Sequence, residues 1–110
     1  MKKSNLQDVE ILESSGNIYA DLGIEDAAKL KIKSDLVIQI IKAMKRLGLT
    51  QDQAAKRMGI SQPKVSGMIR GDFSNLSERK LMDCLARLGF NIEIRVRPVK
   101  QAVGQLVVLP

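Results

Sequence analysis

The amino-acid sequence predicts a small, mainly α-helical bundle that ends in one β-strand. Apolar residues recur at helical spacing in the stretches 36–47, 54–69 and 81–88, with glycines at 48, 59 and 89 as punctuation. After Gly89 the spacing switches from a period of about 3.6 to a period of about 2. The 110 residues and their 45% hydrophobic content suit one compact domain with a modest core. We divide the chain into an N-terminal extension (1–24), a helical domain ending in a strand (25–98) and an aliphatic tail (99–110).

Each element can be justified in order. Residues 1–23 carry Ser14, Ser15, Gly16 and Asn17 between two apolar stretches and read as irregular, with short strands at "VEIL" (9–12) and "NIYA" (17–20). From Glu25 to Leu47 the pattern is helical. Leu36, Val37, Ile40, Ile41, Met44 and Leu47 form one stripe at a period of about 3.6. Glu25 and Asp26 in the first turn and Lys45 and Arg46 in the last both suit the helix dipole, and Gly48 supplies the stop. A later helix begins at Ser77, a candidate N-cap, with Leu76 and Leu81 placed as a hydrophobic staple. Leu81, Cys84, Leu85 and Leu88 give its apolar face, and Gly89 ends it.

In "FNIEIRVR" (90–97), Phe90, Ile92, Ile94 and Val96 alternate with Asn91, Glu93, Arg95 and Arg97, and Pro98 closes the run. This is the pattern of a half-buried strand. A lone strand has unpaired backbone groups on both edges. Its partner is the same strand of a second subunit, one of the chain's own ends ("VEIL" or "LVVL", 106–109), or another protein.

The segment "TQDQAAKRMGISQPKVSGMIRG" (50–71) is a good helix former interrupted twice. Thr50 caps a helix whose apolar positions are Ala54, Ala55 and Met58. Gly59 adopts positive φ without steric cost, so it ends that helix and turns the chain. Ser61 caps a second helix, with its hydroxyl placed to accept from the Lys64 N–H. Pro63 is the second residue of that helix, where a missing N–H costs nothing. Val65, Met68 and Ile69 form the expected buried face. Two short helices joined by a glycine-containing turn make a helix-turn-helix.

Charge points to the partner. The net charge is +6, but residues 1–27 hold two Lys against six acids, whereas residues 28–70 hold ten Lys or Arg against Asp35 and Asp52. A basic block in a small domain suits a polyanion. Rotation by about 100° per residue turns Gln62, Pro63, Ser66, Gly67 and Arg70 outward on the second helix, with Lys64 on the flank. Pro63 and Gly67 let the backbone approach a groove. Gln62 offers a donor and an acceptor matched to adenine, Arg70 reaches guanine or a phosphate, and Lys64 a phosphate. Gln51, at the N-terminus of the preceding helix, is placed to anchor a phosphate, and Ser61 stands at the mouth of the second helix. The candidate DNA-binding set is therefore Gln51, Ser61, Gln62, Pro63, Lys64, Ser66, Gly67 and Arg70.

Other chemistries lack their residues. The chain has no histidine and a single cysteine, Cys84, so no Cys/His metal site, histidine triad or intramolecular disulfide is available. Cys84 reads as a buried structural thiol. No catalytic constellation, metal or cofactor is expected, and the chain is not read as an enzyme. Tyr19, Phe73 and Phe90 are too few for base stacking. No apolar run approaches the roughly 20 residues that cross a bilayer, and the start lacks a signal-peptide core, so the expected location is the cytoplasm.

The stretch 49–71, "LTQDQAAKRMGISQPKVSGMIRG", resembles the helix-turn-helix of the phage repressor/Cro class, the XRE family. The flanking "GNIYADLGIEDAAKLKIKSDLVIQI" and "FSNLSERKLMDCLARLGFNIEIRVRP" resemble an XRE subgroup of HigA-type antitoxins. The resemblance spans roughly residues 16–98 and implies a repressor-like bundle in which the 90–97 strand replaces the usual last helix. It also implies that Gln51 binds the DNA backbone and that Gln62, Lys64, Ser66 and Arg70 read or flank the bases. The expected function is a homodimeric transcriptional repressor on near-palindromic double-stranded DNA, acting as the antitoxin of a type II toxin-antitoxin pair that represses its own operon. A toxin protein is then a partner, and a membrane is not. The alternatives are a stand-alone XRE regulator without a toxin and a structured-RNA-binding module.

Overall fold

The computed structural model describes residues 24–109, with side chains from residue 27 onward. The expected strands at 9–12 and 17–20 and the acidic N-terminal extension lie outside the described residues. The chain divides into two units, Met1–Ile32 and Lys33–Pro110. The described part of the first is the opening of a helix. Apart from the start of that helix, the packing and the site described below lie in the second.

Four helices follow one another: α1 (Ile24–Leu47), α2 (Gln51–Met58), α3 (Gln62–Arg70) and α4 (Glu78–Arg87). The apolar stripe of α1 packs as its period requires, with Leu36, Val37, Ile40 and Met44 buried and Ile41 half-buried. Ala43 is also buried. Leu47 departs from the expectation, being 41% exposed in the final turn, where the stripe runs out of core. Gly48, at φ 67°, reverses the chain, and the Leu49 N–H donates back to the Met44 carbonyl at 3.0 Å. The Lys33 ammonium donates to the Ser74 carbonyl at 3.2 Å, tying α1 to the loop before α4.

α2 packs on both α3 and α4. The largest fully buried side chains are Ile40, Met58, Met68, Leu81, Leu88, Val65 and Cys84, drawn from all four helices and the end of α4. Each large aliphatic buried in this way contributes about 1.5–3 kcal/mol relative to exposure. Ser77 caps α4, its hydroxyl accepting from the Lys80 N–H at 3.0 Å, and both staple leucines, Leu76 and Leu81, are buried. Burial pushes the Cys84 thiol up from its ordinary pKa, Lys80 and Arg87 opposing and Asp83 adding to that effect.

One expected element is not formed. The alternating run 90–97 has no ladder, and among the described residues there is no strand at all. Ile94 is 76% and Val96 91% exposed. The physical reason is the one that made a partner necessary. Alternation specifies which side chains share a face, but a strand exists only through hydrogen bonds to a second strand, and the described chain offers none. The "LVVL" stretch at 106–109 is likewise unpaired. Phe90 itself is held, its N–H donating to the Leu85 carbonyl at 3.1 Å and its ring lying 5.8 Å from the Arg46 guanidinium carbon.

Candidate nucleic-acid interface

Two helix N-termini and the turn between them build the site. Thr50 has extended backbone (φ −73°, ψ 167°), and its hydroxyl accepts from the Gln53 N–H at 3.1 Å. The Gln53 carboxamide returns the bond, accepting from the Thr50 N–H at 2.9 Å. This reciprocal capping box fixes where α2 begins, and so places Gln51 as its first residue. The helix ends at Gly59, which is left-handed at φ 72°, ψ 32°. The Gly59 and Ile60 N–H groups both donate to the Ala55 carbonyl, at 2.9 and 3.1 Å. That closure turns the chain within three residues, and α3 starts at Gln62.

α3 opens differently from expectation. Ser61 occupies the N-cap position (φ −75°, ψ 153°), but its side chain makes no capping bond. The Lys64 N–H donates at 3.1 Å to the Ser61 carbonyl instead, and the Val65 N–H at 3.3 Å to the same oxygen. With Pro63 in the first turn one orphan donor is already absent, so the backbone carbonyl meets the need and the hydroxyl is spared. The first turn of α3 carries no acid, whereas α2 has Asp52. Its positive dipole end is therefore reinforced by Lys64 alone, unopposed within the turn.

The two helix starts meet through their glutamines. The Gln62 carboxamide nitrogen donates to the Gln51 carboxamide oxygen at 2.6 Å. This bond uses one of the two N–H donors of Gln62 and leaves the other, together with its carbonyl oxygen. One turn on, an Arg70 guanidinium nitrogen donates to the Ser66 hydroxyl at 2.5 Å. Pairs at i and i+4 share a helix face, so Ser66 orients Arg70 on the same surface. Ser61, Gln62, Pro63, Lys64 and Arg70 are exposed, and Gln51 and Ser66 are half-buried.

Two expectations about α3 are corrected. Gly67 is not on the outward face but buried with Val65 and Met68. A Cβ there would lie 2.8 Å from the Asp72 carbonyl oxygen, and the Asp72 N–H donates to the Gly67 carbonyl at 2.7 Å. Glycine is needed because the chain folds back against its own helix. Conversely, Ile69 is not in the core but 46% exposed. The packing stripe runs through Val65, Gly67 and Met68, which rotates α3 so that Ile69 moves toward Gln62 and Ser66. Ile69 is the surface residue that the sequence reading missed. Its seven-residue spacing from Gln62, a near-whole number of turns, was the available signal.

Both helices of the motif carry exposed basic residues. Lys56 and Arg57 in the last turn of α2 are exposed, as are Lys64 and Arg70 on α3. Among the described residues no cluster of acidic, cysteine or histidine side chains could hold a metal ion.

Known proteins share this arrangement. A family profile described as "Helix-turn-helix domain" matches residues 18–97, most of the chain. A solved structure of a "Putative XRE Family Transcriptional Regulator" is 32% identical and superposes with a TM-score of 0.70, covering 77% of this chain and 98% of that one. This chain belongs to the XRE family of helix-turn-helix transcriptional regulators. As an XRE regulator it is a DNA-binding protein, with α2 and α3 forming the helix-turn-helix. A search of curated proteins finds no match. Among the described residues, no helix is long and apolar enough to cross a membrane.

Proposed function

We propose that this XRE regulator is a homodimeric, sequence-specific repressor that sets α3 of each copy into the major groove of a near-palindromic operator. The observation that carries the reading is the bond from Gln62 to Gln51. It holds the Gln62 carboxamide with one N–H and one carbonyl oxygen free, the pair that adenine N7 and N6 require. It also places the Gln51 amide at the start of α2, where a phosphate is favoured by the helix dipole. Lys64 and the spared Ser61 hydroxyl flank the groove as phosphate contacts. Arg70, oriented by Ser66, reaches guanine or a phosphate, and Pro63 permits close approach. Gly67 is buried and serves the turn to Asp72, so it is not part of the reading set.

The test is Gln62→Ala, measured on the cognate operator and on random duplex. The expected loss on the operator is about 1–3 kcal/mol, with relaxed specificity at one base pair. An equal loss on both DNAs would remove Gln62 from base reading.

The regulator further acts as the antitoxin of a type II pair that represses its own operon. Two features support this: the acidic balance of residues 1–27, suited to a basic partner, and the exposed aliphatic residues Val103, Leu106, Val107 and Leu109. Co-expression with the product of the adjacent gene should yield a stable complex. A chain that represses its own promoter but captures no such product is a stand-alone regulator.

A further inference from the structure

Residues 91–97 combine three properties that nothing else in the second unit shares. They alternate strictly between apolar and polar side chains, they are exposed throughout, and among the described residues their backbone makes no hydrogen bond. They are not a loose end, because the chain enters them from Gly89 (φ 97°) and the anchored Phe90. Their charge order is also particular, with Glu93 and Arg95 two residues apart on one face and Ile94 between them on the other.

We infer that residues 91–97 form an antiparallel strand pair with the same residues of a second copy, about a twofold axis through Ile94. The inference deepens the homodimer of the proposed function and rests on it, by naming the surface and the register. In a symmetric antiparallel pair, residues directly opposite have numbers summing to twice the central residue, and they share a face. Centred on Ile94, Glu93 lies opposite Arg95 of the partner subunit, twice by symmetry. The apolar face then runs Ile92, Ile94 and Val96 of one copy against Val96, Ile94 and Ile92 of the partner subunit.

The neighbouring registers fail on charge. Centring on Glu93 sets two carboxylates opposite each other. Centring on Arg95 does the same with two guanidiniums. A parallel pair would stack every charge on its own copy. Registers centred between residues oppose an apolar side chain to a polar one along the whole strand. Like charges directly opposite are destabilising and unlike ones stabilising, so the Ile94 register is the one that opposes unlike charges without opposing like ones, whereas the Arg95 register sets Glu93 opposite Arg97 of the partner subunit only at the cost of its central guanidinium pair.

The hydrogen-bond phase follows from the ends. In this register Phe90 opposes Pro98 of the partner subunit. The Phe90 N–H already donates to Leu85, and proline has no N–H to give. That pair cannot exchange ladder bonds, so the even residues are the non-bonded positions and the odd residues carry the ladder. Ile94 therefore faces its copy at the closer Cα spacing of about 4.5 Å.

The experiment uses the full chain without DNA and reads the dimer dissociation constant by sedimentation. Glu93→Arg alone and Arg95→Glu alone should each weaken the dimer at least about tenfold, because two attractive pairs become repulsive. The double variant restores both pairs in this register and in no neighbouring one, and should return to within about threefold of wild type. Oxidised Ile94→Cys should migrate as a covalent dimer, Cys84 being fully buried and unable to compete. Helical circular dichroism should match wild type throughout, since the segment lies outside the helical core. A wild-type monomer at the concentrations where operator is bound, singles without effect, or a double variant that does not recover would each overturn the pairing. A dimer that binds operator yet ignores these changes would sink the register and leave the DNA reading intact. Charge-swap rescue in a protein without sequence preference would do the reverse.

Discussion

Gly67 and Ile69 exchanged places between expectation and structure, and the reason is a single close approach. Periodicity separates apolar from polar positions, but it is silent about a glycine, which belongs to neither. The Asp72 carbonyl sits where a Gly67 side chain would begin, 2.8 Å from an ideal Cβ. Gly67→Ala is therefore expected to destabilise the domain by about 1–3 kcal/mol, despite the better helix propensity of alanine. Urea denaturation measures this directly. A stabilised variant would show that the 71–75 loop yields without cost. Ile69 shows the complementary limit. Periodicity puts an isoleucine beside core residues in the core, yet the rotation of α3 leaves it exposed two turns along the helix from the glutamine that we place in the groove.

The helix boundaries were the most legible part of the sequence, because they depend on local chemistry. Thr50, Gly59, Ser77 and Gly48 each end or begin a helix where their residue types require. Ser61 was legible in position but not in role. Its hydroxyl competes with its own carbonyl for the Lys64 N–H, and the carbonyl wins. The two caps should then differ on mutation. Thr50→Ala removes a capping box and should cost about 1 kcal/mol of stability. Ser61→Ala should stay within about 0.5 kcal/mol, while weakening DNA binding if the hydroxyl contacts a phosphate. Thermal melts of the two variants side by side give the comparison. Equal losses would mean that the Ser61 side chain caps α3 after all. The 90–97 run was legible as an alternating pattern and not as a strand, since a ladder is a property of two segments and alternation describes one of them at a time.

At the scale of the whole molecule, function was legible as a charge distribution before it was visible as a surface. The basic block of residues 28–70 takes in most of α1 and all of α2 and α3, and Lys56, Arg57, Lys64 and Arg70 are exposed on the two helices that carry the paired glutamines. A dimer presenting two such surfaces would contact half-sites about 34–36 Å apart. Its affinity should fall steeply with salt, by about 0.9 in log K per phosphate neutralised and decade of salt. The central claim is that α3 reads duplex DNA by sequence. Selection of binding sites from a random duplex pool by the full-length protein, with affinities then measured at one fixed salt concentration, tests it most directly. The account predicts one near-palindromic sequence with adenine in each half-site, bound at least about 10³-fold more tightly than random duplex. A pool that never converges, or duplex RNA bound as tightly as the selected DNA, would contradict it.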